Sequence, residues 1–157
     1  MAISSRSFEL NDADDTARLG ASFGPALRPG DVILLEGPVG AGKTHFARAL
    51  VQSILSDPED VPSPTFTLVQ SYETENGELW HTDLYRVNSA VEIDELGLEQ
   101  AFEDAICLVE WPDRLGQMKP SRALTIKFEM NGDARIAHMT WIDSHWNEIM
   151  TTVFQNA

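Results

Sequence analysis

The sequence holds a single cysteine, only three lysines, and no apolar run near the ~20 residues of a membrane span. Each shortage closes a class of explanation. One thiol can make neither an internal disulfide nor a structural zinc site. Cys107 lies within the apolar run Ile106-Cys107-Leu108-Val109, where it reads as a small core residue. The first residues, Met1 to Arg6, lead into acidic sequence rather than the apolar centre of a signal peptide, so the expected setting is a reducing cytoplasm. Basic residues are scarce too: 11 against 25 acidic ones, a formal net charge of −14. A self-sufficient nucleic-acid binder would normally carry a basic footprint, and this chain carries none. It suits a partner less acidic than itself.

What remains is enough to build a core. At 157 residues the chain is one domain's worth, and 43% apolar residues exclude a disordered protein despite the charge. Neither an internal repeat nor a low-complexity segment is present. Arg6 to Leu10 reads as a strand, and a helix starting in the acidic stretch Asn11 to Asp15 is expected to run to about Leu27. Asp31 to Glu36 is a short, nearly unbroken apolar run, as in a strand buried on both faces. After a glycine-rich turn, Phe46, Leu50, Val51, Ile54 and Leu55 recur at helical spacing. Pro58, Pro62 and Pro64 mark a loop. Phe66 to Glu73 and Glu78 to Tyr85 are predicted strands joined across Asn76-Gly77. Ser89 to Phe102 has a helical pattern, with an interruption expected at Gly97, and Ile106 to Glu110 is another buried strand. Ala123 to Met130 and Ala134 to Trp141 form a second predicted hairpin, and Asp143 to Phe154 a closing amphipathic helix.

Gly37-Pro38-Val39-Gly40-Ala41-Gly42-Lys43-Thr44 fits G-x-x-x-x-G-K-[ST] without substitution. Chance would produce this in only about 0.5% of chains of this length. The spacing has a physical purpose. The glycines allow backbone angles that turn successive N–H groups inward as a nest for phosphate oxygens, and the following helix adds partial positive charge. Lys43 can reach outer phosphates, and the Thr44 hydroxyl can ligate Mg²⁺. His45 follows at the helix start. The expected fold is therefore an α/β sandwich of the P-loop NTPase type: a mixed, partly parallel central sheet, two β-hairpins, and helices on both faces.

Such a loop needs a carboxylate near the end of a buried strand to hold or orient the metal. Glu110 ends the apolar run Ile106 to Val109, and Asp83 ends Leu79-Trp80-His81-Thr82. Both are candidates. Ser63-Pro64-Thr65 lies in the loop after the phosphate-loop helix, where a threonine can sense a γ-phosphate and switch the loop; it is also ordinary turn chemistry. Arg135, from the second hairpin, is a further candidate for nucleotide contact.

Taken together, several segments resemble the TsaE family, the small ATPase of bacterial tRNA threonylcarbamoyladenosine synthesis. They are Thr16-Ala17-Arg18-Leu19-Gly20, the phosphate loop, Val61-Pro62-Ser63-Pro64-Thr65-Phe66-Thr67-Leu68-Val69, His81-Thr82-Asp83-Leu84-Tyr85-Arg86, Glu95-Leu96-Gly97-Leu98 and Leu108-Val109-Glu110-Trp111-Pro112. They occur in the family's order over roughly residues 10 to 115. The resemblance implies ATP and Mg²⁺ as cofactors, with Thr44 and Glu110 as metal ligands. It implies Asp83 placing metal or water, Thr65 in a switch-like loop, and Trp111 near the nucleotide or the partner surface. The implied partners are the TsaB and TsaD proteins, where TsaD modifies the adenosine beside the anticodon, with tRNA met only through that complex. ATP hydrolysis, weak in the isolated family member, would reset the assembly between turnovers. His45 departs from the family, which often has a small hydroxyl residue there.

Two rival readings use the same loop. A small-molecule kinase needs a lid with several arginines, whereas the eight arginines here are scattered singly. A GTPase normally needs an Asn/Thr-Lys-x-Asp segment, and Thr125-Ile126-Lys127-Phe128 lacks the acid.

Overall fold

The computed structural model describes residues 2–156. Its centre is a seven-stranded sheet in the order β1-β7-β6-β2-β5-β4-β3. The strands are β1 (Ser4–Leu10), β2 (Val32–Glu36), β3 (Val69–Thr74), β4 (Gly77–Asp83), β5 (Ile106–Glu110), β6 (Leu124–Asn131) and β7 (Ala134–Trp141). β6, β2, β5 and β4 run parallel, while β3 on one side and β7 and β1 on the other pair antiparallel. The sheet is mixed because its two hairpins, β3–β4 and β6–β7, each place one strand in the parallel centre and one outside it.

Helices cover both faces. α1 (Ala13–Phe23), α2 (Lys43–Ile54) and α5 (His145–Asn156) bury Leu19, Phe23, Phe46, Leu50, Trp146 and Val153 against Ile33, Leu35, Ile106 and Leu108. On the opposite face α3 (Ala90–Leu96) and α4 (Leu98–Asp104) pack Ile93, Leu98 and Phe102 against Val32, Leu34, Cys107 and Val109. Alternate residues of β2 and β5 thus feed different cores, which is why their sequences are apolar without a break. Among the described residues no helix is long and apolar enough to cross a membrane.

The helix ends follow local chemistry. Asp12 caps α1 by accepting from Asp15 N–H at 2.9 Å, and Asp15 in turn accepts from Asn11 N–H at 2.9 Å. The first helix stops at Phe23 rather than continuing to Leu27, because Gly24-Pro25-Ala26 tighten into a 3₁₀ turn. Gly97, at φ 78°, ends α3 and opens α4, the interruption expected from the sequence. β3 begins at Val69, not at Phe66. Leu68 takes φ 68°, its N–H donates to Pro64 O at 2.7 Å, and Thr65 to Thr67 turn away from the sheet. β4 ends at Asp83 rather than Tyr85, because the Asp83 carboxylate takes Tyr85 N–H at 2.9 Å and starts a turn. Cys107 is fully buried, and burial pushes its thiol up to about 12, so it is an inert core residue.

α1 and α2 meet at a glycine. A Cβ on Gly20 would lie 2.4 Å from the backbone oxygen of Phe46, so the helices reach this separation only because position 20 has no side chain. In an exposed helix Gly→Ala would stabilise by about 1 kcal/mol. Here Gly20→Ala should instead destabilise by about 1–3 kcal/mol through overpacking, measured as a lower denaturant midpoint. An unchanged or raised midpoint would show that the two helices separate freely.

Candidate functional site

A cleft of about 520 Å³ opens at the carboxyl ends of β2, β4 and β5, the edge where open α/β sheets place their ligands. Lys43, Thr44, His45, Arg48, Thr65, Asp83, Tyr85, Glu110 and Trp111 line it, with Val39, Gly40 and Gly42 of the phosphate loop. The loop leaves β2 through Gly37 at φ 138° and continues through Gly40 at 82° and Gly42 at 109°. Gly37 is doubly constrained, since a Cβ there would stand 2.7 Å from the Phe128 backbone oxygen on β6. Val39 forms the exposed tip, and Ala41 turns into the core and anchors the loop. α2 has no side-chain cap at Gly42, so its first N–H groups are left for whatever enters the cleft.

Lys43 is buried. Its Nζ donates to the carbonyls of Gly37 and, at 3.2 Å, Pro38, and lies 3.9 Å from the centroid of the Trp111 ring. Burial lowers its pKa, and the negative charges of Glu110, Asp83 and Asp113 oppose that shift.

The acids come from neighbouring strands. Asp83 and Glu110 are register partners on β4 and β5. Glu110 is 2% exposed, and the Thr44 hydroxyl spans both its oxygens, at 2.8 Å to Oε1 and 3.0 Å to Oε2. His81 Nε2 reaches Oε2 at 2.7 Å. Asp83 has both oxygens engaged as well: Oδ1 by Tyr85 N–H, and Oδ2 by the Thr65 hydroxyl at 3.1 Å. Ser63, exposed, has its Oγ 2.8 Å from Thr65 Oγ1. Trp111 adopts φ 59°, packs tilted against Tyr85 at 4.8 Å between centroids, and covers Lys43. Among the described residues the only non-glycine residues at positive φ are Trp111, which lines this cleft, and Leu68, whose carbonyl takes the N–H of Asp83. Such conformations cost about 1–3 kcal/mol each and collect at functional sites.

The candidates chosen from the sequence thus converge, in differing ways. Gly37 and Pro38 do not line the cleft but hold Lys43 through their carbonyls, and Ser63 meets it only through Thr65. His45 is half-buried and bonds the Ala13 carbonyl at 3.0 Å, tying α2 to α1. Arg135 braces the back of the loop, donating to Gly40 O at 3.3 Å. Sequence reasoning missed His81, Arg48 and Tyr85 as individual site residues. His81 was within reach, because residues two apart on a strand share a face and Asp83 was already a candidate. Arg48 follows Thr44 by one helical turn, a similar cue. Among the described residues no group of three or more His, Cys, Asp or Glu is placed to hold a metal by itself. The cleft offers instead a hydroxyl and two carboxylates, hard oxygen donors that suit Mg²⁺ shared with a phosphate ligand.

Residues 10–137 match the family model for the threonylcarbamoyl adenosine biosynthesis protein TsaE. The chain belongs to the TsaE family. The tRNA threonylcarbamoyladenosine biosynthesis protein TsaE of Rickettsia bellii is 33% identical over 132 residues, covering 83% of this chain and 92% of that one. The TsaE of Mycobacterium tuberculosis is 36% identical over 144 residues, covering 84% of each. The crystal structure of YdiB from Bacillus subtilis superposes with a TM-score of 0.81 over 99% of this chain and 97% of that one. At 24% identity that likeness speaks for the fold alone. The TsaE match spans every cleft-lining residue and ends within β7, leaving α5 outside it.

The Lys43 shift has a pH signature. A lysine whose folded pKa lies below its unfolded value of 10.5 binds its proton less readily in the native state, so stability rises with pH between those two values. Denaturation curves from pH 7 upward should show the wild type gaining on Lys43→Met. A constant difference between the two would contradict a desolvated ammonium.

Proposed function

We propose that this TsaE-family chain binds ATP with Mg²⁺, hydrolyses it slowly alone, and acts on a TsaB–TsaD complex that it resets between rounds of threonylcarbamoyladenosine formation. The observation that carries the reading is the Thr44–Glu110 pair. Residues 66 apart in sequence present a hydroxyl and a carboxylate together, beside a buried lysine and an uncapped helix N-terminus. That is the donor set a phosphate chain and its metal require.

Each residue then has a task that follows from its contacts. Lys43 exchanges its carbonyl partners for phosphate oxygens, and the glycine-rich loop supplies backbone N–H groups around them. Thr44 and Glu110 would hold the metal, which would supply charge to offset that of the phosphates. Asp83, fixed at both oxygens, would place the metal or the attacking water. Thr65, bonded to Asp83, carries the state of the cleft into its loop. The neighbouring Phe66 is 83% exposed and lies 5.0 Å from the Arg86 guanidinium, so a rearranged Thr65 changes the outer surface as well. The TsaB–TsaD assignment rests on family membership, and the chain's acidity favours a complementary surface on the partner.

Steady-state ATP hydrolysis, measured alone and with a TsaB–TsaD pair, tests the reading. Slow turnover alone and large stimulation by the pair are expected. Lys43→Ala should weaken nucleotide binding and abolish stimulated turnover. Glu110→Ala should lower stimulated turnover on the order of 10²-fold while leaving nucleotide bound. Unstimulated turnover with a competent pair, or discovery of a phosphorylated small-molecule acceptor, would favour the kinase alternative. The affinity for TsaB–TsaD should fall as salt is raised, and a salt-independent affinity would remove the electrostatic part of the proposal.

A further inference from the structure

His81 is the group at the cleft whose presence is least explained by packing. It is wholly buried two residues before the end of β4, and its Nδ1 has no hydrogen-bond partner. A buried polar atom without a partner costs free energy, and a fold tolerates it where another requirement prevails. The one polar contact of the ring is Nε2 to Glu110 Oε2, at 2.7 Å. A carboxylate accepts, so Nε2 donates this bond, and Nδ1 is left without a partner. Thr44 reaches both Glu110 oxygens, but His81 reaches Oε2 alone.

We infer that His81 is a positioning residue that fixes Glu110 through Oε2 and leaves Oε1 as the oxygen that would face a metal. The inference rests on the reading of Thr44 and Glu110 as metal ligands and assigns the neighbouring strand a part in it. Thr44 does not single out one oxygen: its hydroxyl has one hydrogen, shared between Oε1 and Oε2, and keeps lone pairs free for a cation. His81, which that reading does not place on the metal, keeps its bond throughout. Partners of this kind orient a ligand before the ion arrives, and their loss commonly weakens metal affinity about 10–100-fold.

The test is binding of a fluorescent ATP analogue to the full chain, titrated with Mg²⁺ and repeated in excess chelator. His81→Gln keeps an N–H donor at similar reach and should hold the wild-type half-saturating Mg²⁺. His81→Leu should raise that concentration about tenfold or more, with binding in chelator unchanged. Should the leucine variant fail to fold, His81→Asn replaces it, since its amide is too short to reach Glu110. In the double variant with Glu110→Gln the His81→Leu effect should vanish, because it acts through that carboxylate. A wild-type Mg²⁺ midpoint in His81→Leu, or an effect persisting on top of Glu110→Gln, would overturn the inference and leave the nucleotide reading intact. Absence of Mg²⁺-dependent analogue binding by the wild type would overturn both.

Discussion

The Glu110 carboxylate is the constraint around which this cleft is organised. Its strand lies between β2 and β4, so the residue at its end looks toward the phosphate loop on one side and the His-x-Asp segment on the other. A carboxylate this deep in the protein is costly unless its oxygens find donors. Thr44 at the start of α2 and His81 on β4 provide them, and so three separate chain segments are held in one arrangement. Removing either partner would loosen the acid and also the register between loop and sheet.

Around that centre the backbone is held in conformations it would not adopt freely. Trp111 is left-handed directly after Glu110, with its N–H on Leu35 O, and this turn lays the indole over Lys43 and against Tyr85. Leu68 is left-handed at the end of the loop bearing Thr65, and its carbonyl takes the N–H of Asp83. The two strained residues thus flank the two acids in space. Both are kept in place by backbone hydrogen bonds from the sheet.

Family and framework were legible in the sequence for different reasons. The phosphate loop, Ser-Pro-Thr-Phe, His-x-Asp-Leu-Tyr-Arg and Val-Glu-Trp-Pro are specific strings, and they led to the TsaE family that the comparisons then showed. β2 and β5 were legible because a strand buried on both faces is continuously apolar, and the Gly97 break because a left-handed helix end favours glycine. The start of β3 was misjudged: Phe66 and Leu68 have strand-like side chains, but a hydrogen bond to Pro64 O turns them out of the sheet. Phe66 ends up exposed for the same reason.

The sequence by itself determined which segments are strands though not all their ends, the glycine-dependent loop and the family, because these depend on local periodicity and on strings of adjacent residues. Only the tertiary structure decided which acids and donors meet. The pairing of Thr44 with Glu110, of Asp83 with Thr65, and of His81 with Oε2 depends on strand order and register. Strand order in a parallel sheet is set by how crossover helices pack over its faces, an interaction spread across both cores and absent from any local segment.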